Sequence, residues 1–261
     1  MVDSLLPAPC QFCGEPDSGP ICAACRADLP WNQPACPGCA LPQVFSTGVS
    51  PVTGAPLPLA GEGGTRGEAL GGVRALPLTD LPCPACQRKP RAFDAAFAAF
   101  RYAAPGRQAL QGLKYSARFH EARWLADSLA SALRQRQSPL PQRLIPVPLH
   151  RGRLLRRGYN QAQELARHLG KALDIPVAPS LARRLRATPD QIGLSAAQRR
   201  LNLRGAFAVS AGIEGLHVAL LDDVMTTGAT LEELARACKA AGATRVEAWA
   251  LARQPLGKVT S

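Results

Sequence analysis

A chain of 261 residues that is 46% hydrophobic and only 19% charged can pack a real core, which excludes an intrinsically disordered protein. Its 24 prolines and 23 glycines nevertheless imply long irregular connections. The net charge of +12 is concentrated, with 13 Arg and Lys against 3 acids in residues 143–204, and such a field attracts polyanions of either the pyrophosphate or the nucleic-acid kind.

At the amino end, residues 1–7 lack the basic start and apolar run of a secretory signal, and no later stretch has the length and apolarity of a membrane span. The expected location is therefore the cytoplasm, without membrane insertion. Thiols stay reduced there, so paired cysteines favour metal over disulfides. Eight of nine cysteines fall in Cys10-x-x-Cys13, Cys22-x-x-Cys25, Cys36-x-x-Cys39 and Cys83-x-x-Cys86. Two such knuckles complete a tetrahedral shell with no open position for water, which points to one or two structural Zn²⁺ ions. Sequential pairing is the simplest arrangement, and crossed pairing stays open. Redox chemistry is the alternative for any single Cys-x-x-Cys. The tract at 42–82 has scattered apolar residues and no sustained period, and is expected to be a flexible insertion in a zinc module spanning 1–90.

A second domain is expected over 91–261. Residues 92–102 alternate enough for a strand or two, and 105–115 read as a short helix. A longer helix over 118–136 places Ala122, Leu125, Leu129, Ala132 and Leu133 on one face, and Pro139 and Pro141 stop it. Residues 144–149 read as the first strand of this domain and 150–160 as a basic loop, with Asn160 capping a helix whose inner face is Ala162, Leu165, Ala166 and Leu169. One or two of Arg151, Arg153, Arg156 and Arg157 are expected to meet an anion. Residues 181–205 are polar and basic and suit a mobile lid, the alternative being a static surface helix.

The stretch Val218-Ala-Leu-Leu-Asp-Asp-Val-Met-Thr-Thr-Gly-Ala-Thr230 carries the clearest chemistry. Val218 to Leu221 form a buried parallel strand that the two acids end, and Leu231, Leu234, Ala235 and Cys238 line one face of the helix beyond. Thr230 and Glu233 have capping-box spacing. Backbone N–H groups at such a helix start can close on a phosphate, while a carboxylate pair suits a vicinal diol or hydrated Mg²⁺. The plain alternative is a strand-to-helix turn with solvated acids. A last strand is expected over 244–252, and Cys238 reads as a buried inert thiol.

Asp222-Asp223, two residues, then Thr226-Thr227-Gly228 resembles the phosphoribosyl pyrophosphate (PRPP) motif of type I phosphoribosyltransferases. With Phe100-Arg-Tyr102, Leu113-Lys-Tyr115, Arg157-Gly-Tyr-Asn-Gln161, Thr188-Pro-Asp-Gln191 and Gln198-Arg-Arg200, nearly the whole chain resembles the ComF/GntX group with its amino-terminal double zinc ribbon. The resemblance implies an α/β fold, an open and mainly parallel sheet with flanking helices. It also implies roles. Asp222 and Asp223 would hold the ribose and act in catalysis; Thr226, Thr227, Gly228, Ala229 and Thr230 would hold the 5-phosphate. His150, Arg151 and Arg157 would belong to the pyrophosphate loop, and Gln191, Arg199 and Arg200 to the flexible loop. The implied activity is Mg²⁺-dependent PRPP binding with phosphoribosyl transfer to an acceptor that no side chain identifies, linked to competence and DNA uptake. The alternative is a non-catalytic accessory protein that binds PRPP and single-stranded DNA beside competence proteins. The oligomeric state is left open.

Overall fold

The computed structural model describes residues 9–16, 20–43, 81–104, 107, 119–187 and 201–255. In chain order the elements are α1 (Ala23–Ala27), α2 (Pro84–Arg88), β1 (Ala95–Arg101), α3 (Phe119–Arg134), β2 (Arg143–Pro146), α4 (Arg151–Arg157), α5 (Gln161–Leu173), β3 (Ala182–Arg184), β4 (Phe207–Val209), β5 (His217–Met225), α6 (Ala229–Ala240) and β6 (Arg245–Arg253). The expected short helix at 105–115 and the insertion at 42–82 lie almost wholly outside the described residues.

The main sheet has the order β1-β6-β5-β2, and every neighbouring pair is parallel. Its central strands are buried on both faces, as their nearly unbroken apolar runs require. Ala219, Leu221, Trp249 and Leu251 face α3 and α5, and Val218, Leu220, Val246 and Ala248 face α6. The helical periodicities read from the sequence hold: Ala122, Leu125, Leu129, Ala132 and Leu133 of α3 and Ala162, Leu165, Ala166 and Leu169 of α5 are buried. Burying each such leucine contributes roughly 1.5–3 kcal/mol. Strands β3 and β4 pair antiparallel as a separate two-stranded flap.

Two readings need correction. The strand at 143–146 is not the first of the domain, because β1 pairs with β6 in the same sheet. The segment after it is not an open loop: Arg151–Arg157 are helical, with the His150 Nδ1 accepting from the Gly152 N–H at 3.2 Å. The local cap holds a helix that has no buried face and hence no apolar period to reveal it.

The cysteine-bearing segment packs on the outer side of β1. Asn32 N donates to Ala99 O at 2.9 Å, Arg101 N to Pro30 O at 2.7 Å and Ala96 N to Pro37 O at 2.7 Å. Phe12 meets Trp124 edge to face, and Trp31 stacks at a tilt on Phe100. Cys10, Ile21, Cys22 and Leu29 thereby join the same core as α3 and α5.

Candidate functional site

The carboxyl ends of β2 and β5 open onto the candidate site, where parallel sheets place ligands. β5 does not stop at the acids. Its register on the nine-residue β6 pairs Asp222 with Ala250 and Met225 with Arg253, so the ladder carries the strand through both carboxylates. Asp222 Oδ1 accepts from the Asp223 N–H at 2.9 Å, and Asp223 Oδ1 from the Val224 N–H at 2.7 Å, which fixes both half-buried side chains at the strand end.

The turn then reverses through Gly228, whose φ of +77° lies in the left-handed region that favours glycine. Helix α6 starts at Ala229, and the Thr227 hydroxyl accepts from the Ala229 N–H at 3.3 Å. The expected Thr230–Glu233 capping box does not form. The helix begins before Thr230, and the Glu233 carboxylate is taken by the Gly205 N–H at 2.7 Å and Arg236 at 2.8 Å. The amino end of α6, with its first-turn N–H groups and positive dipole end, faces the turn.

A cavity of about 220 Å³ gathers Asp222, Asp223, Thr226 and Thr230 with Arg153, Arg157, Arg184, Asn160 and Gln161. Beside it a second cavity of about 370 Å³ is lined by His150, Gly152, Arg153, Arg156, Arg184 and Ala187. Arg153 and Arg184 border both, forming a shared cationic wall. Arg184 reaches in from β3 with its guanidinium 5.5 Å from the centre of the Phe207 ring. Burial, followed by the like charge of Arg153, pushes its pKa down, against the pull of Asp222. Three arginines facing two acids make a site for a ligand that carries both anionic groups and hydroxyls or a divalent cation.

The structure brings together most of the residues singled out from the sequence. Asp222, Asp223, Thr226, Thr230 and Arg157 share the first cavity, and Thr227, Gly228 and Ala229 line the adjoining hollow at the turn. Arg157 also donates to Gln161 at 2.9 Å. His150 borders the second cavity, whereas Arg151 is exposed on α4 and lines neither. Gln191, Arg199 and Arg200 lie outside the described residues, as does most of the expected lid. Sequence reasoning gave no site role of their own to Arg184, which fell within the expected lid, or to Gln161, which appeared with Asn160 in the family motif, and it gave Asn160 only a capping role. Asn160 does cap α5, accepting from the Ala162 N–H at 3.0 Å, but its amide also donates to Val147 O at 3.0 Å and thereby ties α5 to the residue after β2. The sequence signal for Arg184 was its place in the basic segment 181–205, together with the short alternation of apolar Ala182 and charged Arg183 before it.

The eight paired cysteines resolve into two tetrads, Cys10, Cys13, Cys22, Cys25 and Cys36, Cys39, Cys83, Cys86, each with its sulfurs within 4.8 Å of one another. Pairing is therefore sequential. Cys13 and Cys22 sulfurs are 3.6 Å apart and Cys39 and Cys83 sulfurs 3.7 Å, close to the roughly 3.8 Å edge of a tetrahedron with metal–sulfur bonds of about 2.3 Å. Backbone N–H groups of Cys22 and Cys83 point at Cys10 Sγ (3.4 Å) and Cys36 Sγ (3.1 Å), a donor pattern that supports thiolates. Both sets fit structural zinc. Cys238 stands apart, fully buried, with its thiol pushed up to about 12 by burial.

Among the described residues no helix is long and apolar enough to cross a membrane. Residues 1–55 match the double zinc ribbon domain, and residues 154–260 the phosphoribosyl transferase domain. Competence protein F of Haemophilus influenzae is 37% identical over 178 residues, which is 66% of this chain and 78% of that protein. DNA utilization protein YhgH of Escherichia coli is 31% identical over 255 residues, covering 95% of this chain and 98% of that one. Glutamine PRPP amidotransferase from B. subtilis aligns with 50% of this chain and 26% of its own at 21% identity, with a TM-score of 0.35 that carries no weight by itself. Two sulfur tetrads, a parallel sheet ending in an acid pair and a hydroxyl-rich turn, and a relative matched along 98% of its length lead to one conclusion: the chain belongs to the ComF/GntX family of phosphoribosyltransferase-like proteins with an amino-terminal double zinc ribbon.

Proposed function

We propose that the protein binds PRPP together with Mg²⁺ and transfers the phosphoribosyl group to an acceptor nucleophile. The observation that carries this reading is the convergence of Asp222, Asp223, Thr226 and Thr230 with Arg153, Arg157 and Arg184 on one cavity. The carboxylates suit the two ribose hydroxyls, and the amino end of α6 with Thr226, Thr227 and Thr230 suits the 5-phosphate. The arginines suit pyrophosphate. In the reaction the bond from the ribose C1 to pyrophosphate breaks and a bond from C1 to the acceptor forms, the electron pair leaving with pyrophosphate. Positive charge that develops on the sugar is stabilised by Asp222 and Asp223, and negative charge on the leaving group by the arginines. The hard oxygen donors of Asp222 and Asp223 fit a hydrated Mg²⁺, which when bound neutralises pyrophosphate oxygens.

Isothermal titration of zinc-loaded protein with PRPP and Mg²⁺ tests the proposal. Wild type is expected to bind, and Asp222→Asn/Asp223→Asn to lose about 2 kcal/mol or more, the worth of at least one charge-assisted hydrogen bond. A folded wild type that ignores PRPP, or a double variant that binds as well, overturns it.

A second reading, a non-catalytic partner of single-stranded DNA acting beside competence proteins, draws on exposed Arg151, Arg156 and Arg183 and on the names of the relatives. The basic segment holds a single aromatic, Tyr159, so base stacking contributes little and phosphate contacts dominate. Oligonucleotide affinity should then fall steeply with salt, and salt-insensitive binding would sink this reading.

A further inference from the structure

Arg253, at the end of β6, is 1% exposed and lies between the second cysteine tetrad and the phosphate turn. Its Nε donates to Cys39 O at 2.9 Å, while Nη1 donates to Met225 O at 2.8 Å, to Thr226 O and to Gln254 O at 2.8 Å. Cys39 is a ligand of the tetrad, and Met225 and Thr226 lead into Gly228 and α6. These four hydrogen bonds go to carbonyls, and the Cys39 side chain adds a further attraction to the guanidinium. A zinc ion held by four thiolates carries a net charge of about −2 and supplies the counter-charge such a buried cation needs.

A second strut runs alongside. Arg91, five residues after Cys86, meets Glu232 in the first turn of α6 at 3.3 Å, and the Ala92 N–H donates to the same carboxylate at 3.1 Å. The second tetrad is thus joined to both ends of the phosphate turn.

We infer that Arg253 is a positioning residue: it fixes the carbonyls of Met225 and Thr226 against the second tetrad, so that zinc in that tetrad and phosphate at the turn strengthen each other's binding. This rests on the PRPP reading above. Coupling between two binding sites is reciprocal, so whatever factor zinc adds to PRPP affinity, PRPP adds to zinc affinity. Loss of the strut takes this donor from the Thr226 carbonyl and leaves Met225 O with the Gln254 N–H at 3.0 Å, so the amide groups that follow are held less firmly.

The test is zinc affinity by chelator competition on the full chain, with excess Mg²⁺, in the presence and absence of PRPP. A Cys83→Ser variant identifies which of the two zinc equilibria belongs to the second tetrad. The expected result is that PRPP tightens the second site about fivefold or more, near the lower end of typical couplings, and leaves the first site within about twofold. Arg253→Lys, which keeps the charge but cannot span four carbonyls, is expected to retain both zinc ions and lose the effect. Should Arg253→Lys fail to fold, Arg253→Gln, which keeps side-chain donors but not the guanidinium fork, takes its place with the same expected loss. Wild type that binds PRPP with no change at the second site, or a folded Arg253→Lys with the full effect, overturns the positioning role and leaves the PRPP reading standing. Wild type that does not bind PRPP overturns both.

Discussion

Replacing Glu247 by Gln should destabilise the protein at neutral pH and cease to matter in acid. Glu247 is 1% exposed near the start of β6, away from the carboxyl ends of the strands, and it is surrounded by donors. Arg136 Nη2 and Trp249 Nε1 donate at 2.9 Å and Arg245 Nε at 3.2 Å, and His217 Nε2 lies 3.2 Å away, a charged partner only when protonated. Gln keeps the shape but loses the charge and one acceptor. With its oxygen at the Oε2 position it still meets Arg136 and Trp249, now as a neutral acceptor, and the Arg245 donor at Oε1 is left facing an amide. Each charge-assisted bond is worth roughly 1.5–3 kcal/mol and a neutral one about 1, which gives a loss of about 1–3 kcal/mol. Burial by itself would raise the Glu247 pKa, but Arg136 and the Trp249 N–H outweigh it and hold the carboxyl below its ordinary 4.5. A carboxyl with a depressed folded pKa stabilises above its unfolded value, and that stabilisation is lost as pH falls through the folded value. The gap between wild type and Glu247→Gln should therefore be full at pH 7 and narrow below about pH 4.5. Thermal midpoints read by tryptophan fluorescence, from pH 7 down to the lowest pH at which both proteins fold, provide the assay. Zinc loss in acid is common to both proteins and cancels in the difference. A gap below about 0.5 kcal/mol at neutral pH, or one that persists unchanged into acid, would refute the charge-based account.

Other outcomes follow from packing and thiol chemistry. A Cβ on Gly170 would sit 2.5 Å from Val177 Cγ2 and 2.7 Å from the Ile175 carbonyl, so Gly170→Ala must shift backbone and should cost about 1–3 kcal/mol in urea unfolding; a neutral result would mean that the α5 end yields freely. Because Cys238 is fully buried with a pKa near 12, and the other eight cysteines are paired in tetrads, the zinc-loaded native protein should show no fast-reacting thiol. Strong chelation should release eight thiols and leave Cys238 unreacted until full unfolding; rapid labelling of a ninth thiol in native protein would contradict the burial argument.

The sequence made some of this plain and hid the rest for definite physical reasons. Val218 to Leu221, the glycine-bearing turn and the face of Leu231, Leu234, Ala235 and Cys238 were legible because a doubly covered strand and a one-sided helix leave different apolar periods. The cysteine pairs announced their metal by spacing alone, although only the assembled geometry chose between sequential and crossed ligation. What stayed hidden was decided by partners distant in the chain. The acids read as the end of β5, yet pairing with β6 extends the strand through them. Glu233 had the right spacing for a cap and was claimed by Gly205. Arg184 joined the cavity through the two-stranded pairing of β3 with β4, whose strands are three residues each and too short to show a period. Arg253 lies just past the expected last strand at 244–252, and nothing local marks it as a cation buried between two sites.

The hydrogen bonds from the cysteine-bearing segment to β1 have a consequence for the making of the protein. Were that segment to unfold without zinc, β1 would lose the partners of its Ala96 and Arg101 amides and its Ala99 carbonyl, and an unpaired strand edge flanked by Phe97 and Phe100 recruits others like it. Metal capture would then compete with self-association while each chain matures, and zinc withheld during refolding should show as insoluble protein.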